Sequence, residues 1–203
     1  MTVKLTKTEL RKEQTRLSQF QRYLPTLQLK KAMLQFEVSV ATMEISRLIE
    51  EMRLVRIQVE EFSPFLLEKV SVNLLSFADV LRVKKRYENI AGVEIPIFED
   101  ITFKEADYAL IDTPAWTDQS IVVLRELATT REKISIAEEK KRALEKELRA
   151  VSIRVNLFEK ILIPRSLANI KKIRIFISDQ QLTLVAQAKV AKKKIAAKKA
   201  AAQ

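Results

Sequence analysis

Leucine, isoleucine, valine and phenylalanine recur along the first third of the chain at alternating steps of three and four. Taken in sevens, one set of positions reads Leu10, Leu17, Leu24, Lys31, Val38, Ile45, Met52 and Val59. A second set, three residues further on, reads Phe20, Leu27, Leu34, Ala41, Leu48, Val55 and Phe62. Only Lys31 breaks the apolar pattern, and a spacing held this long predicts a coiled-coil seam rather than one face of a buried globular helix. At 1.5 Å per residue a helix from Thr6 to Phe62 is about 85 Å long, so a rod is expected.

A second seam lies towards the other end: Leu127, Ile134, Lys141, Leu148, Val155 and Leu162, interleaved with Ala137, Leu144, Val151 and Phe158. It continues loosely through Ile170, Ile173, Ile177 and Leu184. Thr6 to Glu9 fits a capping box that starts the first helix, and Pro25 predicts a bend near Gln21 to Pro25 rather than a stop, because the heptad phase is unchanged beyond it. Ser63 and Pro64 suit the start of a short helix over Pro64 to Ala78. From Val80 to Phe98 the period changes to two: Leu81, Val83 and Tyr87 alternate with Arg82, Lys84 and Arg86, and Val93, Ile95 and Ile97 flank Glu94. That pattern predicts a β-hairpin turning at Asn89 to Gly92, with the chain's only glycine in the left-handed backbone. Glu99 to Thr117, acidic and holding Pro114 and the only tryptophan, reads as a loop. The Ala/Lys stretch at the end is helical by propensity with little face to bury, and is expected to fray.

The expected class is therefore mainly α: a long antiparallel two-helix coiled coil within one chain, with a small mid-chain insert carrying the hairpin. The expected divisions are an N-terminal helix over 1–62, the insert over 63–117, a C-terminal helix over 118–188 and the tail over 189–203. Setting Phe62 beside Leu127 pairs Leu48 with Lys141 and Lys31 with Phe158, and brings Pro25 opposite Pro164 for a shared bend. Lys31 and Lys141 interrupt the seams; either their stems lead the ammonium out to water, or they fix register on carboxylates, Lys141 on Glu44 or Glu51.

Charge sharpens this arrangement. Residues 1–34 hold eight basic and two acidic side chains and residues 165–203 hold ten and one, so a hairpin of helices gathers a net +15 at one tip. Residues 35–62 and 63–125 each carry −3. Lysine runs attract phosphate, but no aromatic or Arg-rich reading face accompanies these, and nucleic acid is not the expected partner. With neither His nor Cys there is no Ser-His-Asp or Cys-His nucleophile pair and no zinc site of the usual kind, and one glycine cannot build a phosphate-cradling loop. No apolar run is long enough to span a bilayer and the start lacks a signal-peptide core, so a soluble, cytoplasmic chain is expected.

Particular segments resemble the D subunit of the V-type and A-type rotary ATPases: TKTEL near the start, LQLKK at Leu27 to Lys31, ENIAGVEIP at Glu88 to Pro96, RVNLFEKILIPR at Arg154 to Arg165 and NIKKIRIFISD at Asn169 to Asp179. The similarity runs in order from residue 4 to about 185; Glu99 to Trp116 and the Ala/Lys tail depart from it. The resemblance implies a non-catalytic central shaft of the rotor, without cofactor or metal. It would carry torque between ATP turnover in a catalytic A/B hexamer and ion translocation by a membrane ring. Implied partners are that hexamer, the small F subunit of the rotor and a coupling subunit above the ring, with the chain peripheral at the membrane. On this reading Arg11, Lys30, Lys31 and Arg165 are candidate contacts to the hexamer, and Tyr87, Asn89, Gly92, Val93 and Ile95 form a candidate rotor-partner hairpin. The alternative is a stand-alone coiled-coil scaffold that dimerises in parallel through Leu10 to Phe62, with the two end helices of one chain apart.

Overall fold

The computed structural model describes residues 3–62, 78–105, 114 and 116–201. The elements run α1 (Lys7–Phe62), β1 (Val80–Ile90), β2 (Val93–Phe103), α2 (Thr117–Leu157) and α3 (Ile163–Ala201), with α2 passing into α3 through a π-helical turn, Phe158–Leu162. The fold is mainly α, antiparallel helices with a two-stranded antiparallel hairpin in mid-chain. The short helix expected over Pro64 to Ala78 falls almost wholly outside the described residues.

Thr6 caps α1: its Oγ1 accepts the Glu9 N–H at 3.2 Å, one half of the expected box. The helix continues unbroken through Pro25, which is exposed, so the carbonyl freed at Gln21 meets water. Pro164 leaves a different mark. It has no N–H and its ring crowds the carbonyl of Lys160, and just before it the Ile163 N–H donates to Phe158 O, five residues back. One turn widened by a residue accommodates the proline without ending the helix.

The chain divides into two compact units, Met1–Leu29 with Val151–Gln203, and Lys30–Ala150. In the second, Leu34, Ala41, Leu48 and Val55 of α1 are buried, as are Ala137 and Leu144 of α2. Every described residue of the Phe20-to-Phe62 set in this unit is buried, whereas Lys31, Val38, Ile45, Met52 and Val59 of the other set are half-buried. Lys30 pairs with Glu147 and Glu44 with Lys140, each at 2.9 Å, so α1 and α2 run antiparallel. In the first unit the Phe20 ring meets Phe158 edge-on, centroids 5.3 Å apart, and Val151, Val155, Ile170 and Ile173 are buried. The seam stops at Ile177, since residues 178–197 are all exposed, Leu184 among them. Helix nevertheless persists to Ala201, past the expected fraying: alanine and lysine hold it by propensity without burial.

The expected register is wrong. Phe158 faces Phe20, not Lys31, a displacement of about three turns. Pro164 therefore lies about three turns from the level of Pro25, and no shared bend joins them. In the other unit Leu48 lines one depression with Ile136, Ala137 and Lys140, about one turn from the expected Lys141. The reason is physical: a heptad seam offers equivalent apolar positions at every repeat, so sliding one helix keeps apolar on apolar, and only particular pairs select the register. Lys141 does not select it, since it reaches Glu145 on its own helix at 3.9 Å while Glu44 is taken by Lys140 and Glu51 by Arg47. Lys31 has no ion pair among the described residues. The parallel, end-helices-apart arrangement of a scaffold is likewise not what the chain adopts.

β2 runs five residues further than expected. Glu99 and Asp100, acidic enough to suggest a loop, lie across from the basic end of β1: Lys84 pairs with Asp100 in register and its Nζ reaches Glu99 at 3.1 Å. Register shifts fall between Val80 and Arg82 and between Lys84 and Lys85. The turn uses two left-handed residues, Ala91 at φ 52° and Gly92 at φ 82°, as a two-residue hairpin loop of the primed type requires. Asn89 Oδ1 accepts the Gly92 N–H at 2.9 Å and closes it.

Candidate functional site

Within the unit Lys30–Ala150 the hairpin lies along α2, and β2 is the strand that anchors it. Alternation places Ile95 fully out of water, 0% exposed, and Pro96 is also buried. Pro96, Ile97 and Phe98 line the depression they share with Leu48, Ile136 and Ala137. Ile136 thus serves the hairpin while its neighbour Ala137 serves the seam, so α2 is apolar on two faces. Around this small core the attachments are cationic. Lys85 Nζ meets Glu139 at 2.7 Å, Lys133 lies 5.5 Å from the centroid of Phe98, and Arg125 lies 5.4 Å from that of Phe103 while donating to the Lys104 carbonyl at 2.8 Å. At the tip, Lys30 holds Glu147, and its Nζ is 3.7 Å from where a Cβ on Gly92 would sit. The Glu139 carboxylate raises the pKa of Lys85 above the ordinary lysine value, outweighing the partial burial that lowers it.

β1 is the opposite case. Leu81 is 73% exposed and Tyr87 62%, and Arg82, Lys84, Lys85, Arg86, Glu88 and Asn89 are all open to water. Arg86 and Glu88 form an ion pair two residues apart on the same strand.

Of the hairpin residues singled out from the sequence, Tyr87 and Asn89 are surface groups, Gly92 makes the turn, and Val93 is half-buried. Ile95 is not a surface at all; it fastens the hairpin to its unit. Of the four cations, Lys30 and Lys31 belong to the unit just described and are half-buried, Lys30 being engaged with Glu147. Arg11 and Arg165 belong to the other unit and are exposed. Arg165 borders a groove of about 540 Å³ in which Lys4 and Arg16 face Glu9 and Glu13. Glu13 is buried and takes Arg16 at 2.9 Å, so the groove is mixed in sign rather than uniformly basic.

Sequence reasoning missed Lys133, Arg125 and Glu139 as the hairpin's fastenings, because each reads as an ordinary solvated helix charge. The available signal was the cluster Lys133, Ile136, Lys140, whose helical spacing sets an apolar residue between two cations beside the seam. Among the described residues no three acidic side chains converge to hold a metal ion, and no helix is long and apolar enough to cross a membrane.

Residues 9–193 match the family model for the ATP synthase D subunit. The chain is 45% identical over 193 residues to a V-type ATP synthase D subunit of Chlamydia abortus, covering 95% of this chain and 93% of the relative. It is 41% identical over 203 residues to the V-type ATP synthase D subunit of Chlamydia pneumoniae, covering 98% and 95%. The Chlamydia muridarum protein of the same name is 42% identical over 197 residues, covering 95% of each chain.

Proposed function

The chain belongs to the ATP synthase D subunit family, and from that premise we infer that it is the non-catalytic central-stalk component of a V/A-type rotary ATPase. It carries torque between ATP turnover in a catalytic hexamer and ion translocation in a membrane ring. The observation that carries this reading is the antiparallel helix pairing within each unit, with a dry seam of Leu34, Ala41, Leu48 and Leu144 in one and Val151, Val155, Ile170 and Ile173 in the other. Two packed helices resist bending and twisting far better than one, because deformation must open close-packed contacts along the seam.

The exposed cations Arg11 and Arg165 are the proposed contacts to acidic loops of the hexamer. Exposed pairs of this kind are each worth about 0–1 kcal/mol, which suits a contact that breaks at every step. Lys31 remains a candidate for the same task, whereas Lys30 is already engaged with Glu147. The hairpin surface around Tyr87 and Asn89 is the proposed contact to a smaller rotor partner, the F subunit, with a coupling subunit linking the chain to the ring. The complex so formed is peripheral to the membrane on its cytoplasmic side.

The test is omission. Native membranes lacking this chain are expected to lose ATP-driven ion transport while the hexamer, where it still assembles, turns over ATP without coupling. Coupled transport in its absence overturns the reading. The stand-alone scaffold predicts instead that the chain purifies without ATPase subunits.

A further inference from the structure

In the unit formed by Met1–Leu29 and Val151–Gln203 the two sides of the seam do not count alike. On α1 the seam positions recur in strict sevens, Leu10, Leu17 and Leu24 with Glu13, Phe20 and Leu27, all buried or half-buried. On α2 they alternate in fours and threes as a heptad requires, Val151, Val155, Phe158 and Leu162. The same alternation continued puts Arg165, Asn169, Lys172 and Phe176 on the seam. The residues found there are instead Ser166, Ile170, Ile173 and Ile177: the first three are buried, while Arg165 and Lys172 are exposed. Beyond Leu162 every seam position has moved on by one residue. The move falls at the π-helical turn Phe158–Leu162, whose widened ring holds one residue more than an α-turn.

We propose that Phe158–Leu162 is a phase-setting turn: one extra residue, on this side of the seam only, seats Ile170 and Ile173 on α1 and holds Arg165 and Lys172 out to water. Proline alone does not account for it. Pro25 lies inside α1 in the same way, and α1 runs through it as an α-helix with no widened turn. Pro164 fixes where the turn lies, because a residue without an N–H costs least where the ladder is already broken. Phase is why the turn exists. Taking the extra residue out of the turn while keeping the sequence would rotate α3 back by about 100°. That rotation sets Lys172 and Arg165 against α1 and exposes two isoleucines, and both changes oppose it. Arg165 alone has something to gain, since it and Ser166 line the groove that holds Glu13, but Glu13 is already taken by Arg16. The turn therefore decides which side chains the helix beyond it offers outward, whichever partner meets them.

The chain has no cysteine, so single thiols report the phase in the full-length protein. Ile173→Cys should react with a maleimide at least tenfold more slowly than Lys172→Cys. The decisive variant deletes Lys160, an exposed residue of the turn. Its loss lets the turn close to an α-helix and leaves everything beyond in phase, so the two thiols, in native numbering, should keep their order and the urea midpoint should hold or rise. A reversed order, or equal labelling, overturns the proposal. Deleting Lys171, also exposed but outside the turn, puts either Ile173 or Ile170 out of the seam, and the midpoint should fall. A fall as large on deleting Lys160 likewise overturns the proposal. Pro164→Ala separates phase from proline: the thiol order should again be kept, because Ile170 and Ile173 still need the extra residue. Reversal in that variant means that the proline alone holds the turn, and contradicts the assignment.

Discussion

The seam and the hairpin lie in the same unit and are held by different physics. Leu34 and Leu144 are completely out of water, at 0% exposure, and their contribution is transfer and close packing, with no charge for pH to titrate or salt to screen. The hairpin has Ile95 and Pro96 as its buried anchors, and its remaining attachments include Lys85 to Glu139 and two cations over aromatic rings. Attachments of that kind are partly solvated and individually weak. The difference separates a part built to hold its shape from a part whose seating the solution can adjust.

The largest expected effect breaks the seam. Leu144→Ala should cost about 2–5 kcal/mol, read as a fall in the urea midpoint at constant slope, because it leaves a methyl-lined void between two helices. A loss below about 1 kcal/mol means that the seam can collapse around the gap and is not close-packed there.

The turn comes next. Gly92→Ala should destabilise by about 1–2 kcal/mol, since φ 82° is strained for any side chain although Lys30 leaves room for the Cβ. Ala91→Gly should do the reverse by up to about 1 kcal/mol, because Ala91 at φ 52° already carries that strain. Chemical denaturation of both variants checks the pair of signs.

Salt and pH are expected to move the hairpin more than the seam, whose two bridging ion pairs sit beside a buried apolar core. At 1 M salt, where screening acts within about 3 Å, amide protection in β2 should fall while that of the seam helices holds. The Lys85 pKa is raised in the folded protein, so its ion pair contributes fully below the ordinary lysine value and is lost as pH rises through the folded value, above 10.5. Backbone shifts of β2 followed through that window should move in the native chain and not in Lys85→Met. The smallest effect belongs to Glu139→Gln near neutrality, about 0–1 kcal/mol of hairpin seating.

The same contrast explains how much was legible in the sequence. Heptads at Leu34, Ala41, Leu48 and Val55 announced the helices and their buried edge, because burial on a helix must recur every three or four residues. They left the register open, because one heptad fits as well as the next; Phe20 on Phe158 and Glu44 on Lys140 decide it, and neither pair has a one-dimensional signature. The hairpin's period of two and its Asn-Ile-Ala-Gly turn were readable. Its last five residues were not, since Glu99 and Asp100 make sense as strand only once Lys84 is across from them. The candidate cations were visible as a basic tip, but Lys30 is occupied by Glu147 and Glu13 is buried beside Arg16, both facts of tertiary packing. Ile95, read as a surface residue, lies in the core because β2 rather than β1 faces α2.

Rotation is the most direct test of the stalk role. The chain has no cysteine, so Arg53→Cys on the exposed flank of α1, labelled on the purified chain before assembly, gives it a single attachment point for a probe once the assembled complex is fixed by its hexamer. With ATP supplied, the probe should turn in one direction and pause at three positions per revolution, one for each catalytic site. A probe that stays still while ATP is consumed contradicts the account.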